Sequence, residues 1–469
     1  MKSVNFKSMG LMIIHQLILL MWLPGVFFTS VYGQSGKPQA VLPTPSHIEW
    51  AEAEIGVIIH FDINVYAPAT YKASDQATLP DLKVFNPSQL NTDQWVESAV
   101  ALGAKYAVLV AKHGTGFCLW PSKAHSYHVG NTPWRNGQGD IVADFIQSCK
   151  KYGVKPGIYY NTNFNAYLGA GRRMNMTDEK RNEYNQIVLQ QLTELWSNYG
   201  PLFEIWFDGG VMVDEKGGIA SAVTRLIETH QPKALLFQGP ANAKNLIRWI
   251  GNEDGRAVYP NWSTANAVTS SDGIEEIKEG TGAADGVIWC PAEADFPNRK
   301  QKSWNGGWLW RANEEEHIFP ADELVDRFYT SVGSNANMLV GMVIDTDGLF
   351  PEADKRQFVL AGKEIRRRFD KVIAETAGKG KTIDLKIGKR PATVNHVVIQ
   401  ENIAEGERIR KYTVEAMMNG KWKPVCEGES VGHKRIQSFP AVQTDRIRLR
   451  IDESTDQPVV KKFAVYHVQ

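Results

Sequence analysis

The chain has 469 residues, too many for one ordinary single-core domain, with 43% apolar and 22% charged residues, a globular rather than disordered composition. Its 52 Lys+Arg balance 52 Asp+Glu, so no net field draws in nucleic acid or an anionic membrane, and a neutral substrate fits better than a polyanion. In chain order, residues 1–33 read as a signal peptide. Lys2 and Lys7 form a short basic start, an uncharged apolar stretch follows from Gly10 to about Phe28, and Val31-Tyr32-Gly33 before Gln34 resembles a cleavage site. The competing reading is an uncleaved anchor, since the apolar run nearly reaches the ~20 residues that span a bilayer. Cleavage would leave an exported protein, periplasmic or extracellular, with no membrane association.

From about Ile55, short apolar runs alternate with amphipathic stretches. The runs cover 56–60, 106–113, 156–161, 203–208, 235–238, 247–253, 287–293 and 338–344. Helix-like segments cover 91–102, 141–152, 179–199, 219–229 and 321–332. Eight such strands with intervening helices predict an α/β fold, a (β/α)8 TIM-like barrel over residues 34–374. The spacing is uneven around strands five to seven, which predicts short or missing helices there. An open doubly wound sheet is the alternative, but the Gly-rich phosphate turn it usually carries after strand one is not found. A charged helix over 352–374 closes this region. The pattern then shifts to short alternating strands at 394–400, 412–416, 446–451 and 462–467, with a hairpin signal at Asn419-Gly420, which predicts a small C-terminal β-sandwich over 375–469. The four cysteines, Cys118, Cys149, Cys290 and Cys426, are widely spaced and read as buried free thiols.

Barrels of this kind build their sites at the C-terminal ends of the strands. Six runs end there in chemistry-bearing residues: His60; His113; Tyr159-Tyr160-Asn161; Trp206-Phe207-Asp208-Gly209-Gly210; Asn252-Glu253-Asp254-Gly255; and Trp289-Cys290-Pro291-Ala292-Glu293. Aromatic residues suit the apolar C–H faces of sugars, although core packing accounts for Trp and Tyr equally well. Two carboxylates across a pocket are what glycosidic cleavage requires. Asp208, with a glycine pair behind it that lets the chain turn, is the better nucleophile. Glu253, longer and able to reach over a bound ring, is the better acid, with Asp254 beside it to raise its pKa by like-charge repulsion. Their bland counterparts are a helix-capping Asp208 and a Glu253 tied up with Arg248 or Arg256.

Residues from about 48 to 374 resemble the retaining α-L-fucosidases of glycoside hydrolase family 29. Gly56-Val57-Ile58-Ile59-His60-Phe61 is similar to the family's first-strand motif. Ala111-Lys112-His113 with Gly116-Phe117 and Leu119-Trp120-Pro121-Ser122 is similar to its A-K-H-H-D-G-F-x-L-W-P-S. Gly157-Ile158-Tyr159-Tyr160 fits G-x-Y-Y, and Trp206-Phe207-Asp208-Gly209 fits the nucleophile motif W-x-D-G. The resemblance implies Asp208 as nucleophile and His60, His113, Tyr159 and Trp206 as fucose-binding residues, with Trp289 near the sugar's methyl group. Gly114 and Thr115 depart from the second His and the Asp of K-H-H-D-G-F. The stretches Trp249-Ile250-Gly251-Asn252-Glu253-Asp254-Gly255 and Tyr259-Pro260-Asn261-Trp262 resemble the α-1,3/1,4-selective branch instead, where the Glu of N-E-D-G, here Glu253, is the acid/base. Pro291-Ala292-Glu293 recurs in that branch, which makes Glu293 a candidate substrate-binding residue. The resemblance implies fucosylated oligosaccharides or glycoconjugates as substrates, with a second sub-site for galactose built from the loops after strands six and seven. No cofactor or metal is expected. Retention requires the Asp208 and Glu253 carboxyls to meet across one aromatic-walled pocket at about 5–5.5 Å. Two other readings stay open: an inactive fucosylated-glycan-binding protein on the same barrel, and a metal-dependent hydrolase using His60, His113 and Asp208.

Overall fold

The computed structural model describes residues 40–72, 75–171, 174–269 and 275–469. The expected signal peptide, residues 1–33, lies outside the described residues. Within the compact unit from Val41 to Gln469, eight parallel strands close into a barrel. They are β1 (Ile55–His60), β2 (Tyr106–Lys112), β3 (Lys155–Asn161), β4 (Glu204–Asp208), β5 (Leu235–Phe237), β6 (Leu246–Trp249), β7 (Ala292–Phe296) and β8 (Ala336–Val343). Each pairs with its sequence neighbours, and β8 returns to β1. The strands are buried on both faces, which is why they read as unbroken apolar runs rather than alternating ones.

The helices are unevenly distributed, and a short one precedes the first strand. Helix α1 (Pro45–Ala53) is set by a capping box at Thr44 and Pro45 in its first turn. It plugs the N-terminal mouth of the barrel: Trp50 Nε1 donates to Glu204 Oε2 at 2.8 Å, Asn337 Nδ2 donates to the Trp50 carbonyl at 2.7 Å, and His47 Nε2 lies 3.0 Å from the Leu246 carbonyl. The outer layer holds α2 (Thr92–Leu102), α3 (Ile141–Tyr152), α4 (Asp178–Asn198), α5 (Ala220–His230), α6 (Ala321–Thr330) and α7 (Glu352–Phe369). No helix of this layer falls between β5 and β6 or, among the described residues, between β6 and β7.

Two expected elements shift. The run at 287–293 is not a barrel strand: Ile288–Trp289 pairs antiparallel with Thr264–Ala265, and the seventh strand begins at Ala292, so its C-terminal end is Asp295-Phe296 rather than Glu293. The helix expected to reach 374 stops at Phe369, because Ala374–Lys379 is taken up as the first strand of the sandwich. That sandwich is two four-stranded antiparallel sheets. One joins β9 (Ala374–Lys379), β16 (Val459–Tyr466), β11 (Ala392–Glu401) and β14 (Arg435–Thr444), and the other joins β10 (Thr382–Lys386), β15 (Arg446–Ser454), β12 (Ile409–Met418) and β13 (Lys421–Gly428). Val398, Ile436, Ala464 and Tyr466 belong to the same apolar core as the barrel's helical layer.

Candidate active site

Side chains two apart on a strand share a face, so β4 sends Glu204, Trp206 and Asp208 into the barrel one above another, and β7 does the same with Glu293 and Asp295. At the top of these columns lies a cavity of 210 Å³ lined by Ile58, His60, His113, Tyr159, Trp206, Asp208, Gly209, Phe237, Gln238, Trp249, Glu253, Asp295 and Trp308. This is small beside the ~300–1,000 Å³ of pockets for drug-sized ligands, and suits one sugar ring. Six of the eight site residues expected from sequence line it: His60, His113, Tyr159, Trp206, Asp208 and Glu253.

Asp208 ends β4, and the chain turns away through Gly209 at φ +80°, where any Cβ would come within 2.6 Å of the Asn163 Cβ. No helix starts there, so Asp208 is not a capping residue. Its Oδ2 accepts from Tyr159 Oη, in a short contact, and from Asn161 Nδ2 at 2.7 Å. Both donors converge on one oxygen, and among the described residues Oδ1 receives no donor. Asn161 is held in turn: its Oδ1 accepts from Phe164 N at 2.8 Å, and Lys112 Nζ donates to the main-chain carbonyls of Asn161 and Phe164. Burial draws the Lys112 ammonium down to about 7. Proximity to the Asp208 charge adds to burial in holding the Tyr159 phenol far above its ordinary range; it stays a donor.

Glu253 stands exposed on the loop after β6, with Oε2 accepting from Trp308 Nε1 at 3.2 Å. Neither arginine considered beside it holds it: Arg248 is buried against the Asn261 side chain and the carbonyls of Gly280, Cys290 and Trp262, and Arg256 pairs with Asp326 at 2.5 Å. Much of the remaining lining is aromatic. Trp206 and Phe237 stack with ring centroids 3.5 Å apart, and Trp308 lies 4.9 Å from His60. Burial, reinforced by His113, pushes His60 down to about 3, and burial also lowers His113, so both rings are neutral donor–acceptors at ordinary pH.

Two expected residues do not line the cavity. Trp289 is buried in the barrel-interior cluster. Glu293 lies one layer below, fully buried, with Oε1 accepting from Tyr106 Oη at 2.6 Å and Oε2 from Trp206 Nε1 at 2.8 Å. Three contributors escaped the sequence reading, and a fourth, Asn161, was named there only as a strand end. Asp295, which accepts from Trp249 Nε1 at 2.6 Å and whose carboxyl burial and then Glu253 push well above its ordinary range, was hidden by the shifted seventh strand. Trp308 sits in an irregular stretch with no periodic signal. Asn161, named without a role, shares a strand face with Tyr159 two residues before it. Gln238 closes the fifth run, its Oε1 accepting from Gly209 N at 3.2 Å.

Gly209, Gln238 and Trp249 also border a second cavity of 680 Å³, whose other walls come from the loops after β4 and β5, the start of α5, β6, and residues 268 and 276–279. The stretch Tyr259-Pro260-Asn261-Trp262 lines neither cavity. Tyr259 Oη accepts from Glu429 N at 2.6 Å and Ser430 N at 3.1 Å, and Arg410 covers Trp262 at 4.6 Å; these residues fasten the sandwich to the barrel. Among the described residues no group of three His, Cys, Asp or Glu side chains is placed to hold a metal ion.

The α-L-fucosidase family model matches residues 31–363. The chain belongs to the α-L-fucosidase family of glycoside hydrolases. It is 30% identical to Alpha-L-fucosidase 1 of Arabidopsis thaliana over 92% of this chain and 88% of that one. It is 38% identical to a Bacteroides thetaiotaomicron protein assigned as an α-L-fucosidase, whose crystal structure superposes with a TM-score of 0.85 over 92% of this chain and 100% of that one. A Ruminococcus gnavus family 29 fucosidase, solved with fucose, shares the fold at 22% identity, with a TM-score of 0.79 over 92% of this chain and 95% of that one.

Proposed function

We propose that this member is an exported, retaining α-L-fucosidase that removes fucose from α-1,3/1,4 branch linkages of Lewis-type glycans, with Asp208 as nucleophile and Glu253 as acid/base. The observation that supports this reading is that Asp208 and Glu253 both line one aromatic-walled cavity of single-sugar size, whose third carboxyl, Asp295, is pushed well above its ordinary range by burial. In the first step Asp208 Oδ1 attacks the anomeric carbon while Glu253 gives its proton to the departing glycosidic oxygen. In the second, the Glu253 carboxylate takes a proton from water, which displaces Asp208 from the anomeric carbon. The Tyr159 and Asn161 donors on Oδ2 orient the carboxylate and stabilise it as it leaves. Neutral His60 and His113 suit sugar hydroxyls, and Trp206 and Phe237 offer an apolar face to a 6-deoxy sugar. The 680 Å³ cavity beyond Gly209 and Trp249 is the natural place for the aglycone. The branch preference rests on the Asn252-Glu253-Asp254-Gly255 resemblance, and export on the basic, apolar N-terminus.

The test is product analysis. Lewis a and Lewis x trisaccharides should release fucose, initially as the α anomer by NMR, faster than a linear α-1,2-fucoside; preference for the linear sugar removes the branch assignment, and initial β anomer removes retention. Asp208→Ala should lose turnover while keeping ligand affinity, and azide should restore part of it as β-fucosyl azide. An Asp208→Ala enzyme with unchanged turnover ends the nucleophile assignment. Activity should survive exhaustive chelation.

A further inference from the structure

Beneath the cavity, two glutamates that no catalytic step uses face each other in the barrel interior. Glu204, the first residue of β4, and Glu293, the second of β7, are both 0% exposed and within hydrogen-bond reach of each other. Two buried carboxylates cannot both be charged at that distance without a large electrostatic cost. The hydrogen bonds around them say where the proton sits. Both Glu293 oxygens already accept, from Tyr106 Oη and from Trp206 Nε1, and an indole N–H can only donate. Glu204 Oε2 accepts from Trp50 Nε1, while Glu204 Oε1 is buried with no donor. A proton on Glu204 Oε1 turns that stranded acceptor into a donor toward Glu293. The same proton on Glu293 would fall on an oxygen already accepting a bond, and the hydroxyl oxygen of a carboxylic acid accepts poorly.

We propose that the pair holds one proton, on Glu204, and that the carboxylate thereby kept on Glu293 is a positioning residue, fixing the indole of Trp206 against the sugar-binding cavity. Burial raises both carboxyls above their ordinary range, and the Glu293 charge adds to the rise of Glu204, as expected of a pair that shares one proton. The arrangement is built into the fold. Gly56 on β1 leaves the space occupied by the Tyr106 ring, whose atoms would lie 2.3 Å from any Cβ there. Trp206 follows Glu204 by two residues on one strand and precedes Asp208 by two, so a tilt of its ring moves both the sugar's wall and the nucleophile's neighbour. The site's role in fucose binding rests on the function proposed above; the location of the proton does not.

The two isosteric amides separate the possibilities. In Glu204→Gln the amide oxygen still accepts from Trp50 and the NH2 stands where the acid O–H stood, so folding, intrinsic fluorescence and kcat/KM should stay within about twofold of wild type. In Glu293→Gln only one oxygen remains for two donors, and the NH2 faces an N–H or O–H. Its kcat/KM should fall more than ~10-fold with a rise in KM and a shift in tryptophan emission, the scale expected when a positioning contact slips. In a Trp206→Phe background, which lacks the indole donor, that loss should shrink. The infrared difference spectrum of wild type minus Glu204→Gln should carry a carboxylic-acid C=O band, a readout independent of any sugar that cancels the other buried carboxyls. Should Glu293→Gln fail to fold, the difference band and Trp206→Phe kinetics carry the test. A difference spectrum without that band, equal losses in the two amides, or the reverse ranking overturns the proposal.

Discussion

Asn161 illustrates how a side chain outside the proposed reacting pair of Asp208 and Glu253 can govern it. Its amide is one of two donors on Asp208 Oδ2, and the main chain around it is pinned by a buried lysine. Hydrogen bonds to charged groups are worth about 1.5–3 kcal/mol, so Asn161→Ala should lower the rate of fucosyl-enzyme formation about 10–150-fold in single-turnover experiments with little change in binding. An unchanged rate would mean that Tyr159 alone orients the nucleophile. His60 makes a pH prediction. Its folded pKa of about 3 lies below the ~6.5 of an unfolded histidine. The folded state therefore binds this proton less readily, and the stabilising contribution of the neutral ring is complete above pH ~6.5 and lost as pH falls toward 3, at about 1.4 kcal/mol per unit. Between pH 7 and 5 the wild type should lose roughly 2 kcal/mol more in urea unfolding than His60→Gln does, a difference that isolates this ring from the other buried histidines. Equal losses would show that His60 protonates freely in the folded protein.

The elements that could be read in the sequence are those whose burial is uniform. Strands β1 to β4 and β8, buried on both faces, left apolar runs of the right length, and residues at their C-terminal ends, His60, Tyr159 and Asp208, could be named before any coordinates. Strand seven could not, because Val287 to Glu293 is equally apolar yet spends Ile288 and Trp289 on a side hairpin; the true strand, Ala292–Phe296, carries Glu293 and Asp295 inward and looks too polar for a barrel interior. Helix α1 is nine residues long and is recruited by the bottom of the barrel rather than by its own periodicity. Another polar device joins elements farther round. Arg299, just past β7, and Asp354, in the first turn of α7, are both fully buried and meet at 2.8 and 3.0 Å, with Asn298 Nδ2 at 2.5 Å on the same carboxylate. Removing one partner of such a pair leaves an uncompensated charge, about 3–5 kcal/mol. Asp354→Ala should therefore lower unfolding stability by that amount, while Arg299→Met combined with Asp354→Leu should cost clearly less; a single variant no worse than the double would mean that water reaches the guanidinium.

At the scale of the molecule, the sandwich and the barrel are continuous. Apolar residues of β11, β14 and β16 complete the core under α6 and α7, and polar ties reinforce them: Glu407 accepts from Asn335 Nδ2 at 2.7 Å and Ser263 N at 2.9 Å, and His433 Nε2 lies 3.1 Å from Glu54. The loop between β6 and β7 therefore serves two neighbours. Its first residues carry Glu253 into the cavity, and its next ones, from Tyr259 to Ser263, grip the sandwich. This division separates two readings of Tyr259-Pro260-Asn261-Trp262, whose resemblance to the α-1,3/1,4-selective branch suggests substrate selection while its contacts are structural. Tyr259→Phe removes the hydroxyl that Glu429 N and Ser430 N share. Leaving two such donors without their acceptor costs about 1–3 kcal/mol where they are shielded from water, so the melting temperature should fall. The ratio of kcat/KM for a Lewis x trisaccharide to that for a linear α-1,2-fucoside should not move, because this side chain borders neither the sugar cavity nor the larger one beside it. A change in that ratio without a loss of stability would mean that selectivity reaches the active site through the sandwich junction, and that the loop's two halves act as one lever.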